Sequence, residues 1–262
     1  MSEARTDFGL SSTLLLVAED EKAVIVANEG SRSPFLLIAD HAGTAIPKKL
    51  GDLGVSEADR KRHIACDIGI LGVGARLSAL LDATFIHQHY SRLVIDCNRE
   101  PAAEGAIPKE SDGTPVPGNE GLSPQDREAR IAEICRPYQD RIGAEIEARK
   151  ARGQATVLVS LHRFTPLMNG FQRPWRFGVL HREDSPFSRA VLEALRADLG
   201  DEAGDNEPYR MDEIDYTIPL HADGHGIDYL EIEVRQDQIE DDAGQTAIAQ
   251  RLAQVLPRAL AG

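Results

Sequence analysis

Histidines and acids placed at the ends of apolar runs have the clearest chemical potential in this sequence. His41 comes one residue after a short apolar run, and His162 comes directly after a β-branched run at 156–161. Glu231 and Glu233 alternate with apolar residues, so they share one face of a predicted strand. Imidazole and carboxylate groups bind divalent metals, and a carboxylate can also act as a general base. The residue types therefore suggest a metal site with a base beside it.

The pair Asn98-Arg99 adds a group that could bind an anion. It follows a third apolar segment at 93–97, and a guanidinium can hold a carboxylate through two parallel hydrogen bonds. Ligands of open α/β sheets bind beyond the carboxyl ends of the strands. Residues that follow different strands are therefore expected to meet in one cleft.

Each of these residues also has an ordinary structural interpretation. A single histidine is often a hydrogen-bonded structural residue, and His63, His87, His89 and His225 are interpreted that way. An arginine after a strand commonly forms a surface ion pair, and a strand glutamate commonly faces water. The sequence has no HExxH and no GxSxG motif. The residues alone leave two classes open, a metal hydrolase and a non-catalytic small-molecule-binding α/β domain.

Strands and helices are predicted to alternate along the chain. A continuous apolar run is typical of a strand buried on both faces, and apolar residues at helical spacing indicate helices. Strands are predicted at 23–27, Phe35–Ala39, Thr84–Gln88, 93–96, 156–161, Phe177–Leu180 and 229–234, and helices at 57–81, 123–150, 186–199 and 242–260. This order predicts a three-layer α/β/α sandwich around a mostly parallel mixed sheet, a hydrolase- or phosphorylase-like architecture.

The chain is predicted to form a single domain over residues 1–262. Residues 1–32 are expected to form an irregular lead-in. Residues 100–123 are rich in Pro, Gly, Ser and Asp and are predicted to form a long loop. Whether that loop covers the site as a lid is left open.

The charge and composition exclude several classes of protein. The net charge is −14, and nearly all of it lies in 201–242, where fifteen acids face only Arg210 and Arg235. Such a surface disfavours nucleic acid, which attracts clustered basic residues. Three widely spaced cysteines are not a disulfide framework. Neither a signal peptide nor an apolar run long enough for a membrane is seen, so a cytoplasmic protein is expected, with no membrane partner and an unknown oligomeric state.

Six strings in order along the chain resemble the N-formylglutamate amidohydrolase family. The resemblance covers about residues 34–240, and its strings are Asp40-His41-Ala42-Gly43 with Pro47, Asp67-Ile68-Gly69, the segment Ser91 to Arg99, Ser160-Leu161-His162 with Phe164-Thr165-Pro166, the segment Asp205 to Tyr209, and the segment Glu231 to Asp237. The family's fold is similar to that of the zinc carboxypeptidases. The string around His162 also looks like the carboxypeptidase segment that carries the last zinc ligand.

The resemblance implies hydrolysis of an N-formyl or N-acyl amino acid with Zn²⁺ or another divalent metal. In the named activity, N-formyl-L-glutamate gives formate and L-glutamate, a late step of one histidine-degradation route. The expected substrate is thus a small anionic molecule. A carboxypeptidase-like peptidase remains an alternative in the same chemical class.

The resemblance assigns a role to each site residue. His41 and His162 become metal ligands, and Asp67 is the expected third ligand, with Asp40 and Glu207 as alternatives. The carboxypeptidase pattern has a glutamate three residues after its first histidine, whereas this chain has Thr44 there.

The remaining roles concern the base and the substrate. Glu233 is the expected general base, with Glu231 as an alternative. Arg99 with Asn98 is expected to bind the substrate α-carboxylate, and Asp96 to orient Arg99 or Arg92. Arg163 is expected either to bind a second substrate carboxylate or to close a salt bridge. The expected supporting contacts are Arg92, Tyr209 and His221.

Overall fold

The structure is a computed structural model that describes residues 14–182, 185–212 and 214–262. Residues 1–13 of the predicted lead-in lie outside the described residues. A mixed sheet of seven strands, in the order β1-β3-β2-β6-β11-β9-β10, forms its centre. Within the described residues, the strands are β1 (Val24–Ala27), β2 (Phe35–Ala39), β3 (Thr84–Gln88), β4 (Glu110–Ser111), β5 (Thr114–Pro115), β6 (Val157–Phe164), β7 (Leu167–Met168), β8 (Phe171–Gln172), β9 (Phe177–Leu180), β10 (Ala203–Asp205) and β11 (Asp228–Arg235).

The sheet is parallel at its centre and antiparallel toward its edges. The strands β3, β2, β6 and β11 are parallel neighbours, whereas β1 runs antiparallel to β3 and β9 runs antiparallel to β11. The strands β4 and β5 form a small separate hairpin, and so do β7 and β8. Strands β2, β3 and β6 are buried along their whole length, as expected for strands with both faces covered.

Helices cover both faces of this sheet. They are α1 (Glu57–Arg60), α2 (Ile70–Leu81), α3 (Pro124–Arg130), α4 (Arg136–Ala151), α5 (Pro186–Leu199), α6 (Thr217–His221) and α7 (Asp242–Ala261). One apolar core joins α2, α5 and α7 to the sheet, and a second joins α4 and the segment around Val94 to the other face. The predicted three-layer α/β/α sandwich is confirmed.

The predicted helix over 57–81 is wrong in its middle. Helix α1 ends at Arg60 and α2 begins only at Ile70. The helix cannot extend backward past Gly69, because this residue has φ +87°, which is not a helical conformation. The position requires glycine, since a Cβ there would also clash with the carbonyl oxygen of Ile239. The interrupted segment carries Asp67, whose backbone N–H donates to the carbonyl of His41 at 2.8 Å. The break thus carries Asp67 to the end of β2.

Two strand predictions need correction. Residues 93 and 94 belong to a turn and residues 95 and 96 are irregular, with the N–H of Val94 donating to the carbonyl of Ser91 at 2.9 Å and that of Asp96 donating to the carbonyl of Ala106 at 2.7 Å. Their apolar side chains are buried, and burial alone produces the same sequence pattern as a strand. Strand β6 extends past the predicted end at 161, so His162 lies inside it.

The chain between 100 and 150 follows the prediction with added detail. The loop contains the β4–β5 hairpin and two short 3₁₀ turns. Ser123 caps α3 in a capping box with Asp126, and a π-turn at Ile131–Cys135 joins α3 to α4. Among the described residues, no helix is both long and apolar enough to cross a bilayer.

Candidate metal centre and active site

His41, Asp67 and His162 meet beyond the carboxyl end of β2. Each offers a ligand atom, and these atoms all lie within 4.8 Å of one another. The Nδ1 atoms of His41 and His162 lie 3.6 and 3.3 Å from Oδ2 of Asp67. A tetrahedral zinc with bonds of about 2.0–2.1 Å separates its ligand atoms by roughly 3.3–3.4 Å. The measured distances are close to that spacing.

The unpaired atoms of this cluster also fit a cation. Within the part of the chain that the structure describes, Nδ1 of His41 and Oδ1 of Asp67 are buried without a hydrogen-bond partner. A buried polar atom without a partner is costly, so such atoms in a native structure call for an explanation. Two imidazoles and one carboxylate are a donor set that zinc uses in catalytic sites, with a position left for substrate or water. The residues present therefore fit a divalent metal.

A carboxylate contacts Nε2 of each histidine, the ring nitrogen that points away from Asp67 and is called the outer nitrogen below. Nε2 of His41 lies 2.7 Å from Oδ1 of Asp96, and Nε2 of His162 lies 3.3 Å from Oδ2 of Asp40. Because the outer nitrogen donates to a carboxylate, Nδ1 of each ring is left as the atom that can bind a metal. Carboxylate–histidine pairs of this kind fix the tautomer and orientation of metal ligands.

These contacts shift the pKa of each partner. Burial would lower the pKa of His162, but its hydrogen bonds to Asp40 and Asp67 outweigh burial and raise it well above the ordinary value. Burial would raise the pKa of Asp67, but the contact with His162 and the nearby charge of His41 hold it well below the ordinary value. The cluster is thus an alternation of cationic and anionic groups in a dry site.

The two strand glutamates lie beside the cluster on β11. Glu233 is in register with His162 and Glu231 with Ser160 on the neighbouring parallel strand β6. Both are buried, and one carboxylate oxygen of each, Oε2, has no hydrogen-bond partner among the described residues. Burial raises the pKa of Glu233 to about 7 and that of Glu231 well above its ordinary value. Glu233 thus has the pKa expected of a general base at neutral pH.

A cavity of about 430 Å³ opens over these residues. Its basic lining includes Arg92, whose Nη2 lies 2.6 Å from Oδ2 of Asp96, and Arg99, whose Nε lies 3.6 Å from the same oxygen. Within the described ranges, no hydrogen bond occupies the guanidinium of Arg99. Asp96 therefore pairs with both arginines. The guanidinium of Arg99 is less engaged than that of Arg92 and is more available to bind an anion.

Comparison with known proteins gives this site a family. Residues 33–240 match the protein family described as N-formylglutamate amidohydrolase. The chain belongs to this family. Its members' named activity is amide hydrolysis, and the chain is an amide hydrolase.

Solved structures with the same fold include two with high coverage. The chain is similar to the gene product Atu2144 from Agrobacterium tumefaciens, with 36% identity and a TM-score of 0.91 over 94% of this chain and 98% of the other. It is also similar in fold to an N-formylglutamate amidohydrolase from Ralstonia eutropha JMP134, with 18% identity and a TM-score of 0.67 over 92% and 98%. Among curated proteins, none matches the chain significantly.

The alternatives to Asp67 as a ligand occupy other places in this family member. Asp40 contacts His162 from the far side of the ring, through Nε2. Glu207 is not part of the metal cluster or of the cavity lining in the described residues. Asp67 is the acid that the structure brings to the Nδ1 atoms of both histidines.

Arg163 and Asn98 line the cavity but have structural partners as well. Arg163 donates from Nη2 to the carbonyls of His63 and Cys66 at 2.7 and 2.9 Å, which braces the segment that carries Asp67. Asn98 accepts the N–H groups of residues 216 and 217 at 3.1 and 2.9 Å. Of the two expected roles of Arg163, the structure favours a contact with Asp67, at 3.9 Å, over a free anion receptor.

His221 is not brought to this cavity, whereas Tyr209 is. Tyr209 lies on the rim, half-exposed, with the guanidinium of Arg173 4.8 Å from its ring centroid. His221 lies on α6, where Nε2 contacts Oε1 of Gln139 at 2.8 Å, and it lines a different cavity. The structure therefore does not bring His221 to the cavity over the metal cluster, because α6 turns its last residue toward α4.

Several lining residues were missed by sequence reasoning. His63 lies on the cavity wall with Nε2 3.2 Å from Asp112 of the loop 100–123, although it was interpreted as structural. Asp215, Met168 and Ile214 also line the cavity. These residues lie outside the strands predicted from the sequence and in no recognisable motif, so the sequence carries no signal for them.

Proposed function

We propose that the protein is a metal-dependent amidohydrolase of N-formyl or N-acyl amino acids, with N-formyl-L-glutamate as the first candidate substrate. The observation that carries this is the meeting of three potential ligands with Glu233 under a cavity that has Arg92 and Arg99 on its wall. Family membership supports the same substrate class. In the cell, histidine degradation is a reaction sequence that would supply this substrate.

The metal would be held by His41, Asp67 and His162. When bound, such an ion supplies Lewis acidity for an amide carbonyl and for the attacking water. Glu233 takes the proton of that water on its unpaired oxygen Oε2, and then delivers it to the leaving amine. Its pKa of about 7 suits both halves of this task, because the group can hold and release a proton near neutral pH.

The arginines would orient the substrate. Arg99 holds the α-carboxylate, while Asp96 keeps the guanidinium of Arg92 in place beside it. Orientation of the amide carbon toward the water is a large part of catalysis in such sites, since it removes the entropy cost of the encounter.

The test measures release of the free amino acid by the metal-loaded enzyme, because each of the substrates compared yields free glutamate or glutamine on hydrolysis. N-formyl-L-glutamate is compared with N-formyl-L-glutamine, which keeps the shape and lacks the side-chain charge, with N-acetyl-L-glutamate, and with a short peptide that ends in glutamate. We expect the highest kcat/KM for N-formyl-L-glutamate. Faster turnover of the peptide would contradict the proposal in favour of a peptidase.

An arginine variant tests the orientation. We expect Arg99→Gln to raise KM by about tenfold or more, because a charge-assisted bond contributes about 1.5–3 kcal/mol. Arg76→Gln is the matched control, since Arg76 lies on α2 and pairs with Asp242 on the surface. An unchanged KM in Arg99→Gln would remove Arg99 from the proposal.

A further inference from the structure

A chain of buried hydrogen bonds leads from a second cavity to the candidate metal ligand His162. The second cavity, of about 540 Å³, is lined mainly by residues of α4, α6 and the segment 225–227 before β11, and His221 is one of them. Nε2 of His221 lies 2.8 Å from Oε1 of Gln139 on α4. Gln139 is the first of several polar side chains that continue inward from there.

The chain then passes through Thr217 to Asp40. Nε2 of Gln139 donates to Oγ1 of Thr217 at 3.0 Å, and that hydroxyl donates to Oδ1 of Asp40 at 2.5 Å. The carbonyl of Cys97 is a longer alternative acceptor for the hydroxyl, at 3.4 Å. The other oxygen of Asp40 lies 3.3 Å from Nε2 of His162. Four contacts thus connect His221 to His162.

The donors in this chain all point toward Asp40. An amide oxygen can only accept, so the proton between His221 and Gln139 is on the histidine, and the amide N–H₂ then faces Thr217. The Thr217 hydroxyl, which accepts from Gln139, is left to donate to the carboxylate. His162 donates to Asp40 from the opposite side. This order assigns the Nε2 hydrogen of His162 to Asp40, so Nδ1, which lies 3.3 Å from Oδ2 of Asp67, is the ring nitrogen that would bind a metal.

The side chains that form this series of hydrogen bonds are almost completely buried. Thr217 and Asp40 are 0% and 1% exposed, Gln139 is 6% exposed and His162 is 3% exposed. In such surroundings a missing partner leaves a polar group unsatisfied, so each bond fixes the next one. The tautomer and the angle of the His162 ring therefore depend on groups that never touch the metal.

We propose that Thr217, supported by Gln139, is a positioning residue that sets the metal affinity of His162 through Asp40. This inference rests on the metal-dependent function proposed above. A structural role alone would tie α4 and α6 to the sheet and would leave metal affinity unchanged. Outer partners of metal-bound histidines typically change metal affinity by about 10–100-fold when removed.

The experiment measures metal affinity rather than turnover. Thr217→Val removes the hydroxyl and keeps the shape, while Thr217→Ser keeps the hydroxyl. Thr84→Val is the matched control, because Thr84 is equally buried and donates one bond, at 3.0 Å, to the carbonyl of Asn28 away from the site. Competition with a chromophoric chelator gives the Kd for Zn²⁺, and the visible spectrum of bound Co²⁺ reports ligand geometry.

We expect Thr217→Val to raise the Kd for Zn²⁺ by about tenfold or more and to shift the Co²⁺ spectrum. Thr217→Ser and Thr84→Val are expected to stay near the wild-type Kd. If Thr217→Val does not fold, Gln139→Met takes its place and is expected to raise the Kd by a smaller factor, because the bond from Thr217 to Asp40 remains.

Two outcomes separate this inference from the proposed function. A wild-type protein that binds Zn²⁺ and hydrolyses its substrate, with the same Kd in the Thr217 or Gln139 variant, overturns the inference alone. A wild-type protein that takes up no metal overturns the proposed function, and the inference with it.

Discussion

The two histidine–carboxylate pairs of the site have the same form and different surroundings. Asp96, behind His41, is held by the guanidinium of Arg92 at 2.6 Å and lies 3.6 Å from Arg99 on the cavity wall. Asp40, behind His162, is held by neutral donors, the hydroxyls of Thr217 and Ser160 at 2.5 and 3.3 Å. One pair faces the substrate cavity and the other faces the interior.

This difference separates two tasks. A carboxylate shared with cavity arginines couples the metal ligand to the groups proposed to bind substrate. A carboxylate held by buried neutral donors can only orient its histidine. We call Asp96 with His41 the outer pair and Asp40 with His162 the inner pair. Changes in the outer pair should therefore affect both metal binding and substrate binding, whereas changes in the inner pair should affect metal binding alone.

The largest effect is expected where neither pair is touched. Glu233→Gln keeps both histidine pairs and removes the proposed base, so kcat should fall by about 10²–10⁴-fold. Zn²⁺ content should remain that of the wild type, because Glu233 is not one of the three clustered ligands. Formate release and elemental analysis of the same preparation measure the two quantities.

The companion variant Glu231→Gln sharpens this result. Glu231 shares the face of β11 but is in register with Ser160 rather than His162. We expect a smaller loss of kcat than in Glu233→Gln. A larger loss would move the role of base to Glu231.

Replacing the carboxylate of either pair, Asp96 or Asp40, tests the comparison directly. Asp96→Asn and Asp40→Asn should each weaken Zn²⁺ binding by about 10–100-fold, since each removes the charged partner of a ligand histidine. Only Asp96→Asn should also raise KM at saturating metal, because it releases Arg92 and Arg99. Chelator competition gives the Kd, and steady-state kinetics at saturating Zn²⁺ give KM.

A KM that changes equally in the two variants would refute the division of tasks. Circular dichroism of each variant is the control for folding, because Asp40 and Asp96 are both almost fully buried.

The pH dependence of stability should reverse sign with metal. The pKa values of His41 and His162 are raised above their ordinary value near 6.5 in the metal-free protein, so their contribution to stability is complete below that pH and is lost as pH rises through the folded-state pKa. The buried Glu231 and Glu233, with raised pKa values, act in the same direction.

The Tm of the metal-free protein should therefore fall between pH 6 and 9. With saturating Zn²⁺ the Tm should rise over this interval, because the ion binds the deprotonated imidazoles. Thermal unfolding followed with and without a chelator measures both curves. Curves of the same slope would argue against a metal on these histidines.

Sequence reasoning found the parts of this site that follow or lie in buried strands. His41 and Glu233 lie in or directly after apolar runs, and such runs fix both the strand and the edge at which a side chain appears. The three-layer fold followed from the same alternation. The third potential metal ligand, Asp67, came from the family resemblance. The apolar periodicity hid it, because it predicted a continuous helix through this residue.

The remaining parts depend on contacts that no local pattern encodes. Residues 93–95 are apolar because they pack in the same core as α4, whereas their backbone turns through a bond from Val94 to Ser91 and leaves the sheet, with Asp96 bonded to Ala106. Thr217 and Gln139 reach Asp40 through partners about 80–180 positions away, and neither lies in a motif. His221 was expected near the substrate from the family resemblance, whereas the direction of α6 decides its place.

The smallest expected effect concerns the second hydroxyl of the inner pair. Ser160 lies on β6, with Oγ 3.0 Å from Nε2 of His162 and 3.3 Å from Oδ2 of Asp40. Asp40 keeps its shorter bond from Thr217 when Ser160 is replaced. Ser160→Ala should therefore cost about 1 kcal/mol of stability and raise the Kd for Zn²⁺ by roughly fivefold or less.

The matched control is a buried serine on helix α5. Ser188→Ala removes a buried hydroxyl that donates to the carbonyl of Tyr229, remote from the metal cluster. It should lower the Tm by a similar amount and leave the Kd for Zn²⁺ unchanged. A Kd in Ser160→Ala that exceeds the one in Asp40→Asn would mean that the hydroxyl, and not the carboxylate, orients His162, and the inner pair would then differ from the outer one in kind.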